Sequence, residues 1–166
     1  MTTELSNDFL PEWIRTDGAE NDVAISSRAR LARNLKDIPF PGRAKPEDLA
    51  KVDLLVAEAT SRQSGLKFHP PLMMGELTAN QRLTLMEKHL CSPQFIENPQ
   101  ERMLIINESQ TIGVMVNEED HLRIQSISPG FSVEQALDLA NRVDDLLEES
   151  LNYCFDEQYG YLTACP

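Results

Sequence analysis

A run of three acids stands between two largely apolar segments in the second half of the chain. Glu118, Glu119 and Asp120 follow residues 111–116 and precede residues 122–127. Because a strand does not easily bury three successive carboxylates, we place the acids in a tight connection between two strands. A carboxylate at such a turn can bind a cationic group and accept a proton from it. An acidic hairpin tip that only contacts solvent has the same pattern, and the run alone does not separate the two.

The strand predicted after this run alternates between apolar and polar side chains. Leu122 and Ile124 take one face of that strand. The other face carries His121, Arg123 and Gln125. The Arg123 guanidinium is therefore expected to point into the space that the carboxylates border. We interpret His121 as a strand-end residue with satisfied hydrogen bonds and not as an acid or base.

A second group of cations lies in residues 22–34, which read Asp-Val-Ala-Ile-Ser-Ser-Arg-Ala-Arg-Leu-Ala-Arg-Asn. In an extended chain, Ser26, Arg28 and Arg30 share one face. The planar fork of donors on each arginine matches phosphate oxygens in pairs, so this face is suited to a phosphate group. A helix or loop with its arginines directed at solvent is the alternative that the segment alone leaves open.

Helices and strands predicted elsewhere would position these two groups. The predicted helices cover residues 46–63, 78–90 and about twenty residues from 132, and the predicted strands cover residues 103–107, 112–116, 122–127 and 160–164. Capping-box spacing at Thr78 and at Ser132 marks two helix starts. Leu83 is expected on the buried side of the second helix, and Asp144 on the solvent side of the third. The predicted fold class is α+β, an antiparallel β-sheet flanked by helices.

Composition limits the classes of function. The chain of 166 residues has 41% hydrophobic and 25% charged residues, which is ordinary for a soluble globular protein. Its net charge of −12 argues against nucleic acid as the main partner. We expect a cytoplasmic protein with no membrane association, because the sequence has neither an apolar run of about eighteen residues nor the features of a signal peptide. Three cysteines at irregular spacing give no metal-site pattern, so we predict no protein-ligated metal.

Three segments, in the same order, resemble the ATP:guanidino phosphotransferases, the phosphagen kinase superfamily of creatine and arginine kinases. The segments are residues 22–34, residues 117–125 (Asn-Glu-Glu-Asp-His-Leu-Arg-Ile-Gln) and residues 159–166 (Tyr-Gly-Tyr-Leu-Thr-Ala-Cys-Pro). Residues 87–93, Glu-Lys-His-Leu-Cys-Ser-Pro, resemble the bacterial branch, the protein arginine kinases. The resemblance extends from about residue 13 to residue 166. Several matched segments in order make chance a far poorer explanation than it is for one short motif.

The resemblance implies roles for individual residues. Those that match the family's nucleotide-binding positions are Ser26, Ser27, Arg28, Ala29, Arg30, His89 and Arg123. Glu119 matches the catalytic carboxylate that orients the acceptor guanidinium, and Cys165 matches a cysteine beside that guanidinium. For His89 and Cys165, a packing role is the alternative that stays open.

The resemblance further implies an ATP-dependent kinase that phosphorylates arginine side chains in proteins, with ATP and Mg²⁺ as cofactors. The sequence has only seven glycines and no Gly-rich phosphate loop, so arginines must supply the charge that neutralises a triphosphate. An acceptor guanidinium has a pKa above about 12 and arrives as a cation. Glu119 is our candidate for binding it, aligning one nitrogen and accepting its proton. The partners implied are arginine-bearing protein substrates, a zinc-binding activator protein and a second copy in a homodimer.

The predicted organisation has an N-terminal extension over residues 1–21 and a partial phosphagen-kinase catalytic domain over residues 22–166. In the family, the Cys-Pro at residues 165–166 precedes a Thr-Asn-x-Gly-Thr-Gly run, further phosphate-binding arginines and a second catalytic glutamate. The sequence therefore resembles the N-terminal half of such a kinase. A catalytically incomplete fragment or regulatory binding module is one alternative function, and a kinase of a free guanidino compound is another.

Overall fold

A five-stranded antiparallel sheet forms the centre of the computed structural model, which describes residues 10–164. Its strands are β1 (Ser26–Arg33), β2 (Leu72–Met73), β3 (Met103–Ile106), β4 (Ile112–Val116) and β5 (Leu122–Pro129). Their order across the sheet is β1-β5-β4-β3-β2. A separate hairpin consists of β6 (Phe155–Asp156) and β7 (Gly160–Tyr161). The predicted hairpin of β3 and β4, and the addition of β5 to it, are confirmed.

Within residues 10–164, five α-helices accompany this sheet. They are α1 (Glu12–Arg15), α2 (Pro46–Ser61), α3 (Ala79–Glu87), α4 (Pro93–Glu97) and α5 (Val133–Glu148). The three helices predicted from periodicity correspond to α2, α3 and α5, so the α+β fold class is confirmed. None of the described helices has the length and apolar character needed to cross a membrane.

Helix α4 lies inside the loop that the sequence predicts for residues 92–100. The Ser92 hydroxyl accepts a hydrogen bond from the Phe95 N–H at 3.0 Å, and Pro93 occupies the first turn. Both are typical features of a helix start. The helix has only five residues, and so short a segment cannot show a periodic pattern.

The two faces of the sheet are covered differently. Helices α2 and α5 cover one face, where Val114 and Ile124 join Val52 in the larger core cluster. On the other face, α3 and α4 cover the β3–β4 side, where Phe95 packs in a second cluster with Met115. The β1–β5 side of this second face instead carries the polar side chains of the candidate site.

The pairing of β1 with β5 brings two distant segments together. Arg30 lies opposite Gln125, and opposed residues of an antiparallel pair project to the same face. Because side chains alternate along a strand, Arg28 and Arg123 project to that face as well. The extended conformation considered for residues 22–34 is confirmed from Ser26 onward.

A close backbone approach holds the connection between α3 and α4 against β4. A Cβ atom on Gly113 would lie 2.6 Å from the Leu90 carbonyl oxygen, so a larger residue would displace this connection. His89, just before Leu90, has a left-handed φ of 58°. Its carbonyl accepts a hydrogen bond from the Gln125 side-chain amide. The approach therefore places His89 beside β5.

Three local predictions are wrong. Leu83 is 44% exposed, and Leu85 is buried in the core cluster of α3 and α4 instead. The Ser132 hydroxyl does not cap α5 but donates to the Pro129 carbonyl at 2.7 Å, because the Ser132 backbone departs from the extended geometry of a capping residue. The strand predicted over residues 160–164 is limited to β7, which pairs with β6 in a short hairpin.

The prediction that Asp144 faces solvent is also wrong, since this residue is buried. It lies four residues after Ala140 and three before Leu147, so it falls on the buried stripe of α5. Arg33 of β1 forms an ion pair with it, and the Arg33 guanidinium carbon lies 3.8 Å from the centre of the Tyr161 ring. Burial raises the pKa of the Asp144 carboxyl, while Arg33 opposes that rise. Helical spacing thus places this acid in the interior, and a cation on a distant strand offsets the cost of burying it.

Candidate functional site

Three arginine side chains share the part of the sheet face that α3 and α4 leave uncovered. Arg28 and Arg30 belong to β1, and Arg123 belongs to β5. The Arg30 Nε–H donates a hydrogen bond to the Gln125 side-chain oxygen at 2.9 Å. Among residues 10–164, no acid forms an ion pair with Arg28 or Arg30. We call this surface, formed by Arg28, Arg30, Arg123 and Gln125, the cationic face.

Positive charge accumulates on the cationic face. Burial lowers the pKa of Arg30, and the charges of Arg28 and Arg123 lower it further, whereas Glu118 acts in the opposite direction. Like charges that are partly removed from water repel one another, and a bound anion would relieve that repulsion. The forked donors of adjacent arginines also match phosphate oxygens geometrically. The cationic face is therefore suited to a polyphosphate group.

The acidic turn, residues 117–121, joins β4 to β5 as the sequence predicts. Glu118 is buried and accepts hydrogen bonds from Arg123 Nη1 at 2.6 Å and from the Ser92 hydroxyl. The Glu119 side chain is 56% exposed and accepts from Arg123 Nη2 at 3.1 Å. The alternative of a fully solvated hairpin tip is thereby wrong for Glu118. The two carboxylates hold the same guanidinium, but Glu119 is the one open to solvent.

Asp120 and His121 connect the acidic turn to other parts of the chain. Asp120 accepts a hydrogen bond from the Ala164 N–H at 2.6 Å. His121 is fully buried, and its Nδ1 accepts from the Leu35 N–H at 3.0 Å, while its Nε2 lies 3.0 Å from the Pro39 carbonyl oxygen. This pattern requires the proton on Nε2, and burial lowers the pKa of the ring. The interpretation of His121 as a residue with satisfied hydrogen bonds is confirmed.

A cleft of about 950 Å³ opens beside the acidic turn. Glu118 and Glu119 form part of its wall, and Phe40, Arg43 and Thr163 are among the other residues that line it. Its volume is typical of small-molecule sites. A cationic group that enters this cleft from solvent can therefore reach the Glu119 carboxylate.

The predicted nucleotide segment is divided between the two faces of the sheet. Ser26 is exposed, and because side chains alternate along a strand it lies on the same face of β1 as Arg28 and Arg30. The Ser27 hydroxyl is buried and donates to the Gly130 carbonyl at 2.9 Å, and Ala29 lies on the same face as Ser27. The side chains of Ser27 and Ala29 therefore point away from the cationic face. Their part in nucleotide binding stays a prediction, and it would have to involve their backbone.

The structure describes His89 but not Cys165. The His89 ring packs edge-on against Trp13, with 5.4 Å between ring centroids, so this histidine has a packing contact at the border of the cationic face. Its nucleotide role stays a prediction. Cys165 lies outside the described residues, as do residues 1–9, and its role beside the guanidinium also stays a prediction. Thr163, two residues earlier, lines the cleft that contains Glu119.

Sequence reasoning missed three residues of this site. Ser92 contacts Glu118 from 26 positions away, a separation that no local pattern spans. Phe40 and Arg43 lie in a connection without periodicity, and only the fold brings them to the cleft. The Ser92-Pro93 pair is a signal for a helix start, and it could have located Ser92 but not its contact.

Comparison with known proteins assigns the chain to a family. The model of the family described as "ATP:guanido phosphotransferase, C-terminal catalytic domain" matches residues 51–166. The chain therefore belongs to the ATP:guanido phosphotransferase family. Within that family it is similar to protein-arginine kinases, being 43% identical over 163 residues to that of Halothermothrix orenii and 45% identical over 158 residues to that of Desulforamulus reducens. The alignments cover 98% and 93% of this chain but 46% and 44% of those proteins. The chain thus spans about half the length of the curated relatives it matches.

Solved structures share the fold. The substrate-free duplicated taurocyamine kinase from Schistosoma mansoni superposes with a TM-score of 0.78 at 21% identity, over 93% of this chain and 24% of that one. Lombricine kinase superposes with a TM-score of 0.75 at 21% identity, over 86% of this chain and 44% of that one. The phosphagen-kinase fold that the resemblance implies is confirmed.

Proposed function

We propose that the chain forms the nucleotide-binding face and the acceptor-orienting turn of an ATP-dependent kinase that phosphorylates arginine side chains in proteins. The observation that carries this proposal is the position of Arg123, which belongs to the cationic face and is held by Glu118 and Glu119. One side of Arg123 is suited to an anion and the other side borders carboxylates that suit a cation. Phosphoryl transfer to a guanidinium needs these two kinds of site next to each other.

On the nucleotide side, Arg28, Arg30 and Arg123 would bind the phosphate oxygens of ATP. They stand on adjacent strands, so their forked donors converge on one surface. The repulsion among them gives a bound triphosphate an electrostatic advantage. Mg²⁺ would bind the phosphate oxygens, which are the hard ligands that it prefers, and would supply further charge neutralisation.

On the acceptor side, Glu119 would bind the substrate guanidinium. That group is a cation without a free lone pair, so it needs a carboxylate both to orient it and to accept a proton. One guanidinium nitrogen attacks the γ-phosphorus, and an N–P bond forms as the bond from the γ-phosphorus to the ADP oxygen breaks. The proton of that nitrogen passes to Glu119. Glu118, buried against Arg123 and Ser92, would hold Arg123 in position.

The protein-borne acceptor is inferred from the relatives. The chain is 43% and 45% identical to two protein-arginine kinases, whereas its identity to taurocyamine and lombricine kinases is 21%. An open cleft of about 950 Å³ is compatible with an arginine presented on a protein surface. The zinc-binding activator protein, the homodimer and the cytoplasmic location stay predictions.

Calorimetric titration of the chain with Mg·ATP tests the nucleotide side. We expect wild type to bind and Arg28→Ala to bind about 10–100-fold more weakly, because hydrogen bonds between charged groups contribute about 1.5–3 kcal/mol. Arg62→Ala is the matched control, since Arg62 is an exposed arginine that pairs with Glu58 on α2. No binding by wild type, or equal affinity of wild type and Arg28→Ala, would contradict the proposal.

A further inference from the structure

Asn117 connects β4 to the acidic turn in a conformation that few residues adopt. Its φ is 62°, in the left-handed region that asparagine tolerates better than most side chains do. Its N–H donates a hydrogen bond to the His121 carbonyl at 3.0 Å and so closes the turn around Glu118 and Glu119. The direction in which the turn leaves β4 is therefore set at Asn117.

The Asn117 side chain does more than this turn geometry requires. Its Nδ2 lies 3.1 Å from the Leu49 carbonyl, 3.0 Å from Asp53 Oδ1 and 3.3 Å from the Glu101 carbonyl. Leu49 and Asp53 belong to α2, and Glu101 precedes β3. Asn117 is buried, with 4% exposure, so these contacts are shielded from water. The acidic turn is thus attached to a sixteen-residue helix on the opposite face of the sheet.

Asp53 is an unexpected residue to find at this attachment point. Burial raises the pKa of its carboxyl to about 7, and the negative charge of Glu101 adds to the rise. An apolar or amide side chain would avoid that cost, because even partial burial of a charge without a cation is unfavourable. In return, a carboxylate is a stronger acceptor for the Asn117 amide than a neutral oxygen is. Asp53 thus carries a cost for folding and contacts the turn, and this combination indicates a role in holding the turn.

We infer that Asn117 and Asp53 are positioning residues, which hold the acidic turn so that Glu118 and Glu119 stay aligned on Arg123. This inference rests on the proposed function, because the aligned carboxylates are those that we assign to the acceptor side. Neither residue lies in the cleft or on the cationic face. Without the attachment, the turn loses its anchor at the β4 end, and an error of about 1 Å at a reacting group costs on the order of 100-fold in rate.

The Arg123 guanidinium reports the alignment directly. In an NMR spectrum of the isotope-labelled chain without nucleotide, the Arg123 Nε–H resonance is identified by its loss in Arg123→Lys. We expect a sharp and slowly exchanging signal in wild type, since the Arg123 side chain is only 20% exposed and two carboxylates hold its Nη1 and Nη2 atoms. Asn117→Gly keeps the left-handed backbone and removes all three side-chain contacts. We expect this variant to shift or broaden the Arg123 signal and to speed its exchange by about tenfold or more.

The matched control is Gln110→Gly. Gln110 is also buried and also has a left-handed φ, of 55°, but it lies in the β3–β4 connection. We expect this variant to leave the Arg123 signal unchanged. A wild-type Arg123 signal in Asn117→Gly would overturn the inference, and so would equal changes in both glycine variants.

Variants of Asp53 keep the test decisive if Asn117→Gly does not fold. Asp53→Ala removes the acceptor and should alter the Arg123 signal, whereas Asp53→Asn keeps a weaker acceptor of the same shape and should alter it less. Equal signals in Asp53→Ala and wild type would contradict the role of Asp53. Because this measurement needs no nucleotide, its failure is distinct from failure of the proposed function, which would appear as loss of Mg·ATP binding by wild type.

Discussion

Two arginine–carboxylate clusters lie on opposite faces of the same sheet, and they differ in their surroundings. In the closed cluster, Arg33 pairs with Asp144 under α5, and the two side chains are 12% and 7% exposed. In the open cluster, Arg123 pairs with Glu118 and Glu119, and Glu119 remains 56% exposed. The chemical groups are nearly the same in both places.

Access and neighbouring charge separate the two clusters. The Arg33 guanidinium lies against the Tyr161 ring and near the Tyr153 ring, so aromatic side chains occupy the space around it. Arg123 instead binds Glu118 and Glu119, which line an open cleft, and it lies near two further arginines. An ion pair is thus a structural contact when its surroundings are filled, and it becomes a candidate site when one partner can exchange for a substrate.

The largest effect that would sharpen this comparison is on phosphoryl transfer. Glu119→Gln should lower the rate of phosphoarginine formation about 10²–10⁴-fold, because it removes the carboxylate that we propose as the acceptor of the guanidinium proton. Acid-labile phosphate on an arginine-containing protein substrate measures that rate. Glu134→Gln, a change of an exposed acid on α5, should leave it unaffected. A Glu119→Gln rate within threefold of wild type would show that the open cluster is not catalytic.

The closed cluster should dominate stability. Arg33→Ala should lower the free energy of unfolding by about 3–5 kcal/mol, because it leaves the Asp144 carboxylate buried without its cation. Urea unfolding monitored by circular dichroism measures the change. Arg62→Ala, at an exposed pair, should change stability by no more than about 0.5 kcal/mol. If the two variants were equally stable, the closed cluster would not be the structural contact that its burial indicates.

Within the open cluster, the two glutamates should contribute differently to the free energy of unfolding, because they differ in burial. Glu118→Gln should cost about 1–3 kcal/mol of unfolding free energy, because its charge-assisted bonds to Arg123 and Ser92 are buried. Glu119→Gln should cost about 0.5 kcal/mol or less, since this side chain is largely exposed. The same urea experiment on both variants measures the difference. Equal losses would mean that Glu119 is as structural as Glu118.

The smallest effect concerns the pH dependence of stability that arises from Asp53, the acid on α2 that accepts a hydrogen bond from Asn117. The pKa of Asp53 is about 7 in the folded chain, above its ordinary 3.8, so the folded state binds this proton more tightly than the unfolded chain does. The stabilisation that this proton contributes to the folded state is therefore complete below about pH 4, and it is lost as the pH rises through about 7. Asp53→Asn should flatten that part of the pH profile, measured by urea unfolding at several pH values. Parallel wild-type and variant profiles would contradict it.

The elements were predictable where their signals are local. The Thr78 hydroxyl accepts from the Gln81 N–H and the Gln81 side chain accepts from the Thr78 N–H, which is the reciprocal pair that the spacing predicts. The alternation that starts at Leu122 likewise involves neighbouring residues and produces β5. Helical spacing places Asp144 on the buried stripe of α5, but the cation that offsets the cost of burying this acid, Arg33, stands 111 positions away and gives no local signal.

The sequence predicted which residues belong to the site, but it predicted only some of the contacts between them. Motif resemblance located Arg28, Arg30, Arg123 and Glu119, and the structure brings the three arginines onto one face beside that carboxylate. The contact of Ser92 with Glu118 had no signal in the sequence. The same is true of the attachment of the acidic turn to α2, because both depend on helices that pack across the sheet.

The sequence by itself determined which side chains alternate along each strand and where three helices begin, because those preferences arise from backbone sterics and from hydrogen bonds between near neighbours. It also determined the inventory of arginines and acids. Only the tertiary structure decided which arginine meets which acid, since the antiparallel register of β1 with β5 sets that choice. Burial then separated the two clusters, because the pair under a helix is enclosed by other side chains, whereas one acid of the other cluster remains open to solvent.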